Sequence, residues 1–204
     1  MREVLVAALV LALAVGSMAA MEPARAVEPA ATIVLVAYDS ETGNTEALGR
    51  ALAEGVASVE GVESVLRRIS AVTDEEILRA DGILVGTPVI WGSLSAGAKG
   101  FLDRVGRVLD EEIHGEGRTA GAFCTGGAPA AGKELARLAI LAAFLNMRFT
   151  VIGGLELDGF GSLGAGATTG PSDPGLSTAE LETARRSGER FARITAQIRR
   201  SPGA

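Results

Sequence analysis

From Thr32 onward, short apolar runs alternate with segments whose apolar residues recur every three or four positions. The first kind suits strands buried on both faces, the second suits helices packed over them. The pattern predicts strands at Thr32–Ala37, Val62–Arg68, Gly82–Thr87, Thr119–Cys124 and Phe149–Gly153. It predicts a helix starting near Glu46 with Leu48, Leu52 and Val56 inward, and further helices over Ser95–Leu109 and Gly132–Leu145. Ala71–Ile77 reads as a short polar connection, and Gly159–Gly175 as a glycine-rich loop. Ser177 and Glu180 have the spacing of a capping box, opening a last helix with Leu181, Ala184, Phe191, Ile194 and Ile198 inward. Strands that alternate with helices build a parallel sheet covered on both faces, and ligands bind such a sheet at the carboxyl ends of its strands.

Three loops fall at those ends. The first, Ser40-Glu41-Thr42-Gly43-Asn44-Thr45, lies between the first strand and the first helix. Gly43 allows backbone angles that side chains forbid, the hydroxyls of Ser40, Thr42 and Thr45 donate hydrogen bonds, and the first helical amides point outward with the helix dipole behind them. Such a turn holds a phosphate. It contains no Lys or Arg, which favours a small phosphate monoester over a metal-bound triphosphate. The second loop, Thr87-Pro88-Val89-Ile90-Trp91-Gly92-Ser93, follows the third strand, where Pro88 is expected to stop the strand and Trp91 to offer a flat apolar face. The third, Thr125-Gly126-Gly127, follows the fourth strand, and its glycines let backbone amides approach the polar edge of a ring.

Other motifs carry less. Gly127 to Glu134 nearly spells a nucleotide-binding P-loop, but Glu134 stands where a hydroxyl has to ligate magnesium. Gly159, Gly161 and Gly164 match a dinucleotide fingerprint in letters only, since no helix opens there. The one histidine, His114, sits in a charged segment and reads as solvated. Cys124 reads as a buried small hydrophobe, and no group of side chains has metal-ligand spacing.

The chain has 204 residues, 48% hydrophobic, enough for one domain with a sizeable core. A net charge of −6, with only two lysines, Lys99 and Lys133, excludes a nucleic-acid partner. A single cysteine excludes an internal disulfide. Residues 1–26 read as a secretory signal peptide or N-terminal anchor: Met1-Arg2-Glu3, an apolar core over 4–15 able to serve as a membrane tether, and Ala24-Arg25-Ala26 as a cleavage site. That core is short for a membrane span. Residues 27–31 form a linker and 32–200 the domain, which is exported or tethered on the periplasmic side if the signal is real and cytoplasmic otherwise.

Val36 to Glu46, Val-Ala-Tyr-Asp-Ser-Glu-Thr-Gly-Asn-Thr-Glu, resembles the FMN-phosphate loop of the flavodoxin superfamily. The resemblance implies a flavodoxin-like, doubly wound, five-stranded parallel sheet of order 2-1-3-4-5. Three further stretches, Ala80–Ser95, Lys99–Asp103 and Gly164–Leu181, resemble the WrbA-type NAD(P)H:quinone oxidoreductases. Membership would imply FMN as cofactor, two-electron transfer from NAD(P)H to a quinone, and a homo-oligomer, dimer or tetramer. The three loops would then hold the flavin, with Trp91 against its ring. The family's histidine after the fourth helix is missing here, and Phe144 or Asn146 is expected to line that wall. Two other readings stay open: an FMN electron carrier serving a protein redox partner, and an FMN scaffold without turnover. Export would separate the protein from cytoplasmic NAD(P)H, so signal and donor compete.

Overall fold

A computed structural model describes residues 30–109, 115–154, 163–170 and 172–201. The signal or anchor assignment and His114 lie outside the described residues, as does most of the dinucleotide look-alike. In chain order the strands are β1 (Thr32–Tyr38), β2 (Val62–Arg68), β3 (Gly82–Ile90), β4 (Ser93–Leu94), β5 (Thr119–Gly126), β6 (Thr150–Val151) and β7 (Ala165–Thr168). The α-helices are α1 (Asn44–Ala57), α2 (Asp74–Arg79), α3 (Ala96–Val108), α4 (Lys133–Asn146) and α5 (Thr178–Arg200).

The parallel sheet runs β2-β1-β3-β5-β6, the expected 2-1-3-4-5 order. Tyr38 pairs with Gly86 at the top of β1, and Pro88 pairs with Thr125 at the top of β3. Side chains alternate along the central strands and so feed two cores. Leu35, Ala37, Ile83 and Val85 pack with Phe101, Val105, Ile140 and Phe144 of α3 and α4. Val34, Val36, Leu84 and Phe123 pack on the other face with Leu48 and Leu52 of α1 and Ala184 and Phe191 of α5. Helices α1 and α5 approach so closely that a Cβ at Gly188 would stand 2.0 Å from the Leu52 carbonyl oxygen, and one at Gly55 only 1.9 Å from that of Arg185.

Three expectations need correction. The segment read as a polar connection contains α2, a helix too short for an apolar period but capped at both ends. Thr73 and Glu76 form a reciprocal capping box, and the Arg118 guanidinium donates to the carbonyls of Ile77, Leu78 and Ala80. Pro88 does not stop β3. The β1 ladder ends at Gly86, so Pro88 needs a partner on one side only and the strand continues to Ile90. The fifth lane is not one strand: β6 pairs with Thr119 and Ala120 of β5, and β7, inside the segment read as loop, pairs with Phe123–Gly126. The run Ala-Gly-Ala-Thr has no β-branched periodicity to announce a strand. Its small side chains admit the buried Arg137, whose guanidinium nitrogen would lie 2.9 Å from a Cβ at Gly166.

Candidate functional site

At the carboxyl edge of the sheet, an open cleft of about 270 Å3 lies between three loops and a fourth segment after β7. Its lining includes Thr42, Asn44 and Thr45 from the first loop, Pro88, Val89 and Ile90 from the second, and Thr125, Gly126 and Gly127 from the third. The sequence expectation missed Glu41, Thr169, Gly170 and Asp173, which also line it. The signal for the last three was the turn-rich run Thr169-Gly-Pro-Ser-Asp-Pro, but nothing in it says which other loop it meets.

The first loop is shaped by its own hydrogen bonds. Gly43 caps α1 in a left-handed conformation, φ 94°, with open space where a side chain would be. Ser40 Oγ accepts from the amides of Gly43 at 3.1 Å and Glu46 at 3.4 Å, so this hydroxyl shapes the turn from inside and does not line the cleft. The amides of Asn44 and Thr45 find no acceptor among the described residues, which leaves two helix N-terminal donors at the cleft. Asn44 Nδ2 donates to Thr42 Oγ1 at 2.8 Å and to Asp173 Oδ1 at 2.7 Å, tying the fourth segment to the first loop. Deeper, the buried hydroxyls of Thr45 and Thr125 share a 2.8 Å hydrogen bond that joins the first and third loops. Arg68 closes the loop from outside: it donates to the Ser40 carbonyl at 2.7 Å, lies 5.5 Å from the Tyr38 ring centroid and pairs with Glu46 at 3.6 Å. Among the described residues, no lysine or arginine lines the cleft.

The second loop is a hairpin rather than an irregular turn. Val89 pairs with Leu94 and Ile90 with Ser93, leaving Trp91 and Gly92 as a two-residue turn with φ of 50° and 80°. Positive φ at both positions is the requirement of a type I′ turn. Trp91 is 100% exposed at its tip, and neither it nor Gly92 or Ser93 lines the cleft. The apolar wall comes from Pro88, Val89 and Ile90. Thr87 is fully buried and points away: its Oγ1 accepts the Ser95 amide at 2.8 Å and donates to the Pro88 carbonyl. Ser95 in turn caps α3 and donates to Asp39 Oδ2 at 2.6 Å, so Thr87, Ser95 and Asp39 fasten the base of the hairpin to the end of β1.

Behind the third loop, Lys133 is buried and donates to Thr168 Oγ1, while Thr168 N donates to Glu180 Oε1 at 2.9 Å. Partial burial pushes the Glu180 carboxyl up. Amide bonds from Thr168 and Ser177, the Ser177 hydroxyl and the charge of Lys133 outweigh it and hold the carboxyl below its ordinary range. Cys124 is fully buried, and burial raises its thiol to about 11, which makes it inert at neutral pH. Phe144 and Asn146 do not line the cleft. Phe144 is buried in edge-to-face contact with Phe149, ring centroids 4.9 Å apart, and Asn146 donates to the Ala142 carbonyl on the exposed end of α4. Neither side chain therefore takes the place of the missing histidine at this cleft.

The flavodoxin of Aquifex aeolicus is 37% identical over 165 residues, covering 78% of this chain and 84% of that protein. The NAD(P)H dehydrogenase (quinone) of Cupriavidus metallidurans is 30% identical over 195 residues, covering 81% of this chain and 98% of that one. The chain belongs to the flavodoxin-like family of FMN proteins. The profile of the NADPH-dependent FMN reductases matches residues 71–158, from α2 through β6. A solved WrbA-like flavodoxin from Agrobacterium tumefaciens superimposes with a TM-score of 0.64 over 82% of this chain and 99% of that one, at 22% identity. For this flavodoxin-like protein the loop geometry fits the family's cofactor: two free amides, a left-handed glycine and several hydroxyls suit a phosphate, and a backbone-rich slot beside an apolar wall suits a flat ring.

Proposed function

We propose that the protein is an FMN-dependent oxidoreductase that moves two electrons from NAD(P)H to a quinone. The observation that carries this reading is the place of Trp91: its indole is fully exposed and stands clear of the cleft, so it does not cover the outer face of a flat ring held between Pro88–Ile90 and Gly126–Gly127. Hydride transfer needs a donor stacked within contact of the reacting ring, and that needs room over its face. Relatives named as quinone dehydrogenases match along nearly their whole length, which supports the same reading.

Bound FMN supplies the electron-accepting chemistry. The chain's own residues bind and orient. Thr42, Asn44 and Thr45 would hold the phosphate through hydroxyls and helix N-terminal amides. The amides of Gly126 and Gly127 can approach the ring's polar edge, where hydrogen-bond donors stabilise charge that develops on reduction. Quinone reduction requires protons; among the described residues the cleft lining holds no histidine, lysine or cysteine, and solvent reaching the open cleft can supply them.

The experiment is FMN titration followed by NAD(P)H oxidation with benzoquinone. Thr45→Ala removes one of the two joined hydroxyls and is expected to weaken FMN binding by about 1–3 kcal/mol. An unchanged dissociation constant, or equal affinity for FAD, rejects the cleft as the FMN site. The 37% identity to a flavodoxin favours a second reading, a one-electron carrier between proteins. FMN binding without turnover by any nicotinamide and quinone pair would select it.

A further inference from the structure

The turn between β1 and α1 has a charge that its own residues do not balance. A phosphate monoester carries close to two negative charges at neutral pH, and among the described residues the only charged side chains lining the cleft are two acids, Glu41 and Asp173. Glu46, in the first turn of α1, adds a third carboxylate beside the same helix end. An acid there complements the helix dipole and so competes with an anionic ligand for its positive end.

The balancing cation comes from another strand. Arg68, the last residue of β2, reaches the back of the turn from 28 positions along the chain. Three segments hold its guanidinium: the Tyr38 ring at the end of β1, with its centroid 5.5 Å away, the Ser40 carbonyl, to which it donates at 2.7 Å, and the Glu46 carboxylate of α1 at 3.6 Å. A solvated arginine needs no such set of contacts. Glu46 also accepts from Arg50 Nη2 at 2.9 Å, so two guanidinium groups share one carboxylate and leave one positive charge behind the turn.

We propose that Arg68 is the positioning residue that makes this turn selective for a phosphate. It cancels Glu46, which would otherwise oppose the anion, and it holds the negative end of the Ser40 carbonyl away from the cleft. The helix dipole and the amides of Asn44 and Thr45 then act on the ligand. This assignment rests on the cleft being the FMN site. The ion pairs themselves add little to the fold, because Arg50, Arg68 and Glu46 are all partly exposed.

The test is titration of the full chain, freed of flavin, with FMN and with riboflavin, which has the ring but no phosphate. Arg68→Gln is expected to weaken FMN binding by about tenfold or more and riboflavin binding by less than about twofold. Arg68→Lys, which keeps a charge and a donor, is expected to retain most of the FMN affinity. Adding Glu46→Gln to Arg68→Gln is expected to recover about threefold or more, since it removes the carboxylate left uncancelled. A merely structural tie to the Ser40 carbonyl would not be rescued in that way. Raising the ionic strength from about 0.01 to 0.15 M shortens the Debye length from about 30 to 8 Å, and is expected to reduce the preference for FMN over riboflavin more in the wild type than in Arg68→Gln. Should Arg68→Gln misfold, Glu46→Gln alone reads the same charge and is expected to tighten FMN binding by about twofold or more. An unchanged ratio of FMN to riboflavin affinity in Arg68→Gln, or a loss that Glu46→Gln does not relieve, overturns the proposal. Thr45→Ala in the same titration separates the two readings: if it weakens FMN binding and Arg68→Gln does not, the cleft stands and the role of Arg68 falls, and if neither variant has an effect, both fall.

Discussion

Trp91 occupies a position that its side chain disfavours. A left-handed conformation costs an ordinary residue about 1–2 kcal/mol, and Asn-Gly is the preferred pair for a type I′ turn, yet the chain carries Trp-Gly there with the indole in solvent. Trp91→Asn is therefore expected to keep or raise the melting temperature of the apoprotein, because the indole packs against nothing in the chain. A clear loss of stability would show instead that the indole packs within the fold. Glu180 makes a different kind of prediction. Its carboxyl is held below the ordinary range, so it stabilises the native state above that range and loses the contribution as pH falls through its folded value. Glu180→Gln is expected to lower the urea midpoint at pH 7, and the gap to wild type is expected to close as the pH is taken into the acid range. A constant gap would mean that the hydrogen-bond geometry matters and the charge does not.

Among the elements, α1 and α5 are joined by a pair of glycines rather than by a seam of large side chains. Gly188→Ala gains about 1 kcal/mol of helix propensity, but its Cβ would stand 2.0 Å from a backbone oxygen that cannot rotate away. Overpacking costs about 1–3 kcal/mol or more, so a lower melting temperature is expected. A stabilised variant would show that α5 slides on α1 at little cost. This contact also explains a gap in the sequence reading: Leu181, Phe191 and Ile194 announce the inner face of α5, but the closeness of the helices rests on residues without side chains. The same holds for the split fifth lane. Glycine and alanine in β7 carry no strand pattern, and only the ladder to Phe123–Gly126 makes that segment extended.

For the molecule as a whole, residues 4–15 raise the question of address. We propose export or tethering through this apolar run. A fusion of residues 1–32 to a reporter active only outside the cytoplasm is expected to work, and Leu11→Arg to silence it, since a charge there costs about 2.5–3.5 kcal/mol on insertion. A silent wild-type fusion would return the protein to the cytoplasm and to its NAD(P)H. Within residues 31–204, the sheet order and the placement of helices on both faces were legible in advance, because burial on two faces forces continuous apolar strands and one-sided helices. The turn between β1 and α1 was legible too, since Gly43 allows the left-handed angle with which it caps the helix. What the sequence by itself determined was therefore what depends on neighbours a few residues apart: the long strands and helices, the cap of α5 and the turn between β1 and α1. Only the tertiary structure decided that Thr87 and Ser40 turn inward, that Trp91 stands clear of the cleft, that Asp173 reaches Asn44 across 129 residues, and that the leucines of α4 divide between core and solvent. Each of those is set by which segments the sheet brings together, and no local pattern encodes a contact whose partner lies in another loop.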